Sequence, residues 1–368
     1  MSPWKRLLLA LAVPLFVASC GLSPARQIPE GFDLPTARPL GMDGLMSTRR
    51  DNIIDPDEVT HPGPILALSA GGVRGAFGAG VLVGWTATGE RPEFSVVTGV
   101  STGALLSLFA FLGPDQDADL KTAYTTVKTR DLVSIRPVSA LLGTPSFTSA
   151  EGFREQIEKY LDEDALARIE EGAAQGRKLI VATTNLDAQA PRYWDITAIA
   201  ASGHPDRLEL IRNVIQASAA IPTLFPPVLI PVFDTDGRTF PMLHGDGGVT
   251  EEYILLELGD RVLSGRKSYV VLNQFERPEF KATDVNVIGV LGATTGANLA
   301  QLYRNETRAV LAAERSRGYD VSFATIPAEF DQESEEGFDP VYMTSLFNLG
   351  RRAILRDALW IERPAIAE

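Results

Sequence analysis

The segment that most restricts this chain is Gly99-Val100-Ser101-Thr102-Gly103. An apolar, β-branched run with Phe94, Val96 and Val97 precedes it, and a longer apolar run, Ala104 to Leu112, follows. The pattern reads as strand, sharp turn, helix, a unit of folds in which parallel strands alternate with helices. A serine at such a turn, flanked by Gly99 and Gly103, is a candidate nucleophile elbow. The plainer alternative is a turn serine without chemistry.

A serine hydroxyl needs a base to take its proton and donors to hold the oxyanion it creates. The three histidines, His61, His204 and His244, each stand beside Pro or Gly in loop-like sequence, so a Ser-His-Asp triad stays open but is not specifically indicated. More informative is Phe240-Pro-Met-Leu-His-Gly-Asp246-Gly-Gly-Val249, where an apolar stretch delivers a carboxylate to two glycines. From there Asp246 could hydrogen-bond a serine directly; a bare Asp-Gly turn is the alternative. Upstream, Pro64 to Ser69 reads as a strand entering Ala70-Gly71-Gly72-Val73-Arg74-Gly75, which opens a helix with Phe77, Val81, Leu82 and Trp85 at helical spacing. Glycines let backbone N–H groups approach a reacting centre, and a helix N-terminus favours negative charge, which suits an oxyanion hole. Arg74 is a cation where the helix dipole is already positive, so it needs a specific partner or an anionic ligand. A phosphate loop fits poorly, since neither GxxxxGK[ST] nor GxGxxG follows this strand.

In this order the segments resemble the patatin-like phospholipases, or lipid acyl hydrolases, with their Gly-Gly-x-Arg-Gly loop, GxSxG nucleophile and Asp-Gly-Gly or Asp-Gly-Ala. Gln216-Ala-Ser-Ala-Ala-Ile-Pro-Thr-Leu-Phe-Pro-Pro227 is similar to the block ahead of the family's Asp-Gly-Gly, and by motif the resemblance spans about residues 63–255. It implies Ser101 as nucleophile, Asp246 as base of a Ser-Asp dyad, Gly71, Gly72 and Val73 as oxyanion donors, and Arg74 as an anion-facing or loop-fixing cation. Ala70 departs from the pattern, standing where many members have the first of three glycines. The resemblance also implies cleavage of carboxylic esters of phospholipids or lysophospholipids through an acyl-enzyme, with no cofactor and no metal. A non-catalytic lipid- or partner-binding lipoprotein on the same fold and a histidine-triad esterase are the alternatives. An ordinary aspartate, with its pKa near 3.9, is a weak base at neutral pH, so burial has to raise that value; the apolar approach from Phe240 to Leu243 is consistent with it.

At the N-terminus, Lys5 and Arg6 precede a 13-residue apolar run, Leu7 to Ser19, and then Cys20, the only cysteine. The run is short for a membrane span and fits a secretory h-region. Val17-Ala18-Ser19-Cys20 resembles a bacterial lipobox, which implies cleavage before Cys20 and its lipidation; an ordinary signal peptide leaving a free thiol is the alternative. A single cysteine in an exported chain has no internal partner, so lipidation gives it a use. Gly21 is not the aspartate associated with inner-membrane retention, and the expectation is the bacterial cell envelope, at the outer membrane facing the periplasm.

Loss of residues 1–19 takes the formal charge from -13 to -15. Such a surface argues against nucleic acid as a partner and against electrostatic adsorption to anionic lipid; membrane lipid as substrate is what the family resemblance implies, and as anchor surface what the lipobox resemblance implies. Residues 20–62, rich in Pro, Gly and charge, read as a flexible tether with a span of about 35 Å. The rest, 63–360, reads as one acyl hydrolase domain. Strands are expected at Pro64–Ser69, Phe94–Thr98, Lys178–Thr184, Arg192–Ile196, Tyr269–Asn273 and Val321–Ile326. Helices are expected at Gly75–Thr88, Gly103–Leu112, Ser149–Tyr160, Arg207–Ala217, Val285–Arg315 and Tyr342–Asp357. Their alternation implies a three-layer α/β fold, a mainly parallel sheet with helices on both faces. The stretch from Asp115 to Phe147, with Leu141 and Leu142, is a candidate lid or acyl-binding wall or an ordinary excursion. Glu329 to Asp339 is acidic but lacks EF-hand spacing and reads as a solvated loop.

Overall fold

In the parallel core, neighbouring side chains of a strand go to opposite cores, and both are dry. Leu66 and Leu68 join one hydrophobic cluster and Ile65 and Ala67 the other; Leu179 and Val181 are likewise separated from Ile180 and Ala182. Only a sheet covered on both faces accepts such unbroken apolar strands. The computed structural model describes residues 26–365 apart from 136–147, 223, 277–281, 284, 286, 333, 335 and 336. Its strands are β1 (Arg38–Pro39), β2 (Met46–Ser47), β3 (Ile65–Leu68), β4 (Val96–Val100), β5 (Ser134–Ile135) and β6 (Thr148–Ser149), followed by β7 (Lys178–Asn185), β8 (Ala190–Asp195), β9 (Val228–Phe233), β10 (Thr239–Gly245), β11 (Lys267–Phe275) and β12 (Asp320–Ile326).

The centre of the sheet is parallel, in the order β7-β4-β3-β11-β12. Antiparallel strands extend it: β8 runs back along β7, β2 adds to β8, and the β9–β10 hairpin carries β1. A strand has two edges, and β8 takes one edge of β7 from Ile180 to Asn185. On the other, β4 pairs with residues 178–182 and β10 with 184–185. So β4 running up and β10 running down meet end to end against β7, and the residues that follow them, Ser101 and Asp246, are brought together.

One face is covered by α1 (Gly75–Thr88), α2 (Thr102–Leu112), α3 (Asp117–Thr125), α4 (Thr129–Leu132), α5 (Glu151–Tyr160), α6 (Glu163–Ala174), α7 (Ile196–Ala201) and α8 (Arg207–Ser218). The other carries α9 (Asp260–Leu263) and the 31-residue α10 (Val287–Arg317). The last helix, α11 (Pro340–Leu355), returns to the first face. The chain is therefore a three-layer α/β protein with a sheet that is parallel at its centre. Helix ends follow sequence rules: α1 stops at Gly89 with φ +78°, and α11 starts at Pro340 behind Asp339, whose carboxylate accepts the N–H groups of Val341 and Tyr342. No helix among the described residues is long and apolar enough to cross a membrane.

The N-terminal segment differs from expectation. Residues 26–62 form a strap laid against the domain rather than a free tether. Arg26 is bonded to Asp187, Phe32 meets Phe240 at 5.9 Å between ring centroids, and Leu45, Ile54 and Val59 are buried in the two cores. These apolar residues are spaced without helical or strand period, so their burial is invisible to a periodicity argument, yet Leu45 joins one core and Ile54 and Val59 the other. The β9–β10 hairpin was likewise not expected, because Pro231 and Pro241 interrupt its apolar runs. Residues 1–25, with the expected signal peptide and Cys20, lie outside the described residues, as do Leu141, Leu142 and Phe147.

Candidate active site

Ser101 stands between β4 and α2 with φ 55° and ψ -122°, a conformation that costs a non-glycine residue about 1–3 kcal/mol. The neighbouring glycines are there for space. A Cβ on Gly99 would lie 2.2 Å from the Gly103 carbonyl oxygen, and one on Gly103 would lie 2.2 Å from that of Leu68. Strand and helix are thus pressed together, which forces the turn to be sharp and holds Ser101 above it.

The Ser101 hydroxyl donates to Asp246 Oδ2 at 2.8 Å, across 145 residues of sequence. Asp246 Oδ1 accepts the Gly248 N–H at 2.7 Å. Both residues are about 95% shielded, with Ser101 4% and Asp246 5% exposed. Burial pushes the Asp246 carboxyl up from 3.8 to about 7, against the hydrogen bonds from Ser101 and Gly248, which pull it down. A carboxyl so poised can accept a proton near neutral pH.

Gly71 and Gly72 make the turn between β3 and α1. Gly71 has φ +156°, and a Cβ there would meet the Asn273 carbonyl oxygen at 2.4 Å, so the turn cannot take another residue without shifting β11. Asn273, fully buried at the end of β11, ties both limbs of this turn. Its side-chain amide donates to the Ser69 carbonyl at 3.0 Å and its Oδ1 accepts the Gly78 N–H at 3.1 Å. The Arg74 Nε donates to the Asn273 carbonyl at 3.2 Å, and the guanidinium packs over Phe275 at 5.8 Å. Of the two roles open for Arg74, these contacts are the loop-fixing ones. The Ser101 N–H is itself taken by Ser218 Oγ at 3.0 Å, and that hydroxyl donates to Ala182 O at 2.6 Å. Oxyanion donors therefore have to come from elsewhere, and Gly72 faces the same cavity as Ser101.

That cavity is a slot of about 60 Å³ whose walls are almost wholly apolar, including Leu105, Val127, Leu132, Phe153, Ile221, Phe225 and Phe338. Ala123, Tyr124, Val127 and Leu132 bring the described part of the 115–147 segment into its wall. Phe153 and Phe225 are stacked at 5.0 Å, joining α5 to the loop after α8. Among the described residues no group of three or more His, Cys, Asp or Glu side chains is arranged to hold a metal ion.

The histidines are engaged elsewhere. His244 is fully buried, with Nδ1 2.9 Å from Thr183 Oγ1 and its ring edge-on to Trp194; burial lowers it to about 3, which keeps it neutral. His204 and His61 use Nδ1 to accept the N–H groups of Asp206 and Gly63. Sequence reading missed Asn273, Ser218 and Glu306. The Glu306 carboxylate on α10 accepts the N–H groups of Glu252 at 3.1 Å and Tyr253 at 3.2 Å, and the Glu252 carbonyl accepts the Ala70 N–H at 2.9 Å. The one available signal was polar Asn273-Gln274 interrupting the apolar run Tyr269 to Leu272.

Compared with known families, residues 66–258 match the family model for patatin-like phospholipase, just over half of the chain. Comparison with curated proteins gave no match. Among solved structures, the crystal structure of VipD from Legionella pneumophila is similar, with a TM-score of 0.41, at 15% identity over 84% of this chain and 69% of that one.

Proposed function

Because this chain belongs to the patatin-like phospholipase family, whose general activity is lipid hydrolysis, we propose that it cleaves carboxylic esters of phospholipids or lysophospholipids with Ser101 as nucleophile and Asp246 as base. The observation that carries the reading is the 2.8 Å hydrogen bond from a strained serine to a buried carboxylate at the mouth of an apolar slot. Ser101 Oγ attacks the ester carbonyl carbon while its proton passes to Asp246 Oδ2. The tetrahedral oxyanion is held by the Gly71, Gly72 and Val73 turn, with Arg74 and Asn273 keeping that turn in shape. Collapse of the intermediate breaks the ester C–O bond, and Asp246 returns the proton to the departing alkoxide. Water then gives its proton to Asp246 as it attacks the acyl-enzyme, and collapse breaks the acyl–Oγ bond while Asp246 passes that proton to Ser101 Oγ, releasing the fatty acid and restoring the hydroxyl. The slot, narrow and apolar, suits an acyl chain and no charged group. For its setting the proposal is a lipoprotein of the bacterial envelope, anchored through Cys20.

A fluorophosphonate probe tests the reading. We expect it to label Ser101 in the intact protein, and Ser101→Ala to lose both the label and phospholipid turnover by three or more orders of magnitude while melting normally. Turnover by Ser101→Ala at the parent rate, or labelling at another serine, overturns the assignment.

A further inference from the structure

We propose that the end of the sheet bearing Ser101 is a bilayer-docking face, turned to the membrane by the N-terminal strap; this rests on the lipidated Cys20 and the lipid-hydrolase reading above. The strap begins at that end. Arg26, the first described residue, donates from Nη1 to Asp187 Oδ2 at 2.9 Å and to the Pro241 carbonyl at 2.8 Å, with its guanidinium over Phe240. Asp187 lies in the turn between β7 and β8, and its Oδ2 also accepts the Leu243 N–H at 2.8 Å, so strap, turn and hairpin are fastened at one point.

Register gives the height of that point. Val100, which precedes Ser101, pairs with Ala182 on β7, and the turn at Leu186 is four residues further along, about 13 Å beyond the level of Val100. Cys20 stands six residues before Arg26, which an extended chain spans in about 20 Å. The opposite end of the sheet is removed by the whole of β7, a further 26 Å or so for its eight residues, and lies outside that reach. A bilayer holding the Cys20 lipid is therefore held at the site's end.

The surface there fits an apolar partner. Leu186, Leu229, Val249 and Ile28 are 39%, 47%, 40% and 51% exposed. Leu229 faces Leu243 across the hairpin, Leu186 packs against Gly245, and Val249 belongs to the turn that follows Asp246. Of the carboxylates beside them, Asp187 is paired with Arg26, Asp234 and Asp236 share Arg238, and Glu30 and Asp33 adjoin that cluster through the Glu30 carbonyl and the Asp33 N–H. With two arginines against five carboxylates this end is acidic like the rest of the chain, so docking rests on its apolar side chains and on zwitterionic rather than anionic lipid.

The test uses the full, acylated chain carrying Ser101→Ala, so that vesicles stay intact, bound to phosphatidylcholine vesicles with brominated acyl chains. A fluorophore is placed at Leu229→Cys or, in a second protein, Leu186→Cys; a third carries it at Glu90→Cys, in the loop before β4 at the opposite end. We expect bromine to remove most of the emission at the first two positions and none at the third, unchanged by high salt. Adding Arg26→Ala and Asp187→Ala is expected to abolish the difference between the two ends. Quenching at Glu90→Cys, no quenching at either of the others, a difference that survives unpinning, or a Cys20 without acyl mass each overturns the proposal. An active-serine protein that fails to hydrolyse lipid, yet docks in this way, instead overturns the hydrolase reading alone.

Discussion

Asp246→Asn separates catalysis from stability in opposite directions. Asparagine keeps the shape and can still accept the Gly248 N–H, but it cannot take the Ser101 proton, and we expect kcat/KM to fall by about 10³-fold or more. The stability effect follows from burial. Raising the carboxyl from 3.8 to about 7 means that its ionisation costs about 4 kcal/mol more in the folded protein than in the unfolded chain. Since the folded pKa is the higher one, this group's contribution to stability is fully present below about pH 4 and is lost as pH rises through 7. The variant has no such loss, so its advantage over the parent grows between pH 4 and 7 and levels off at up to about 4 kcal/mol above pH 8, reduced by any poorer packing of the amide. Urea unfolding of both proteins at pH 4.5, 6 and 8.5 reads the difference, and an ester assay across the same range should show the parent's kcat/KM rising with a midpoint near 7. An asparagine variant that hydrolyses esters, or one whose stability tracks the parent's at every pH, refutes the reasoning.

Gly103→Ala puts a methyl group 2.2 Å from the Leu68 carbonyl oxygen, backbone against backbone, and is expected to cost about 3 kcal/mol or more, seen as a lower urea midpoint. Burial raises Glu251 and Glu252 to about 7 and Glu306 to about 9, so the stability they contribute is lost as pH rises through those values; Glu306→Gln should flatten the alkaline end of a melting-temperature profile between pH 6 and 10. Arg74→Ala should slow phospholipid and neutral-ester turnover by equal factors, since its contacts hold the turn; a loss confined to the phospholipid would show that it faces the head group instead. Asn273→Leu should lower kcat by about 10-fold or more with KM little changed, and restoration by a polar residue of similar shape, Asn273→Asp, should be partial.

Much of the framework was legible because it is local. The elbow, the Gly71-Gly72 turn and α1 with its end at Gly89 are written in contiguous residues, and the expected helix Gly75–Thr88 is the observed one. The pairing of Ser101 with Asp246 is not local. It depends on β10 ending against the same edge of β7 that β4 vacates, and no periodicity reveals an edge. Asn273 was hidden for the same reason, since its partners Ser69 and Gly78 lie about two hundred residues away and a buried asparagine in a strand looks like a flaw until both limbs of the turn are in view. The docking of the strap is not legible in the sequence, because composition records how much chain is polar, whereas docking depends on where a few apolar side chains fall.

The two-residue β1 has a further consequence, for solubility. By pairing Arg38 and Pro39 with Phe233 and Val232 it covers the last two residues on the outer side of β9, and Pro39 has no N–H to offer a further strand. A chain shortened to begin at Met42 would keep Leu45, Ile54 and Val59 in the cores but bare Val232 and Phe233 beside the already exposed Leu229, giving a second molecule a place to add its own strand. With those three side chains in place the folded domain would survive, but as a species prone to stack edge to edge, so that what β1 protects is the protein's solitude.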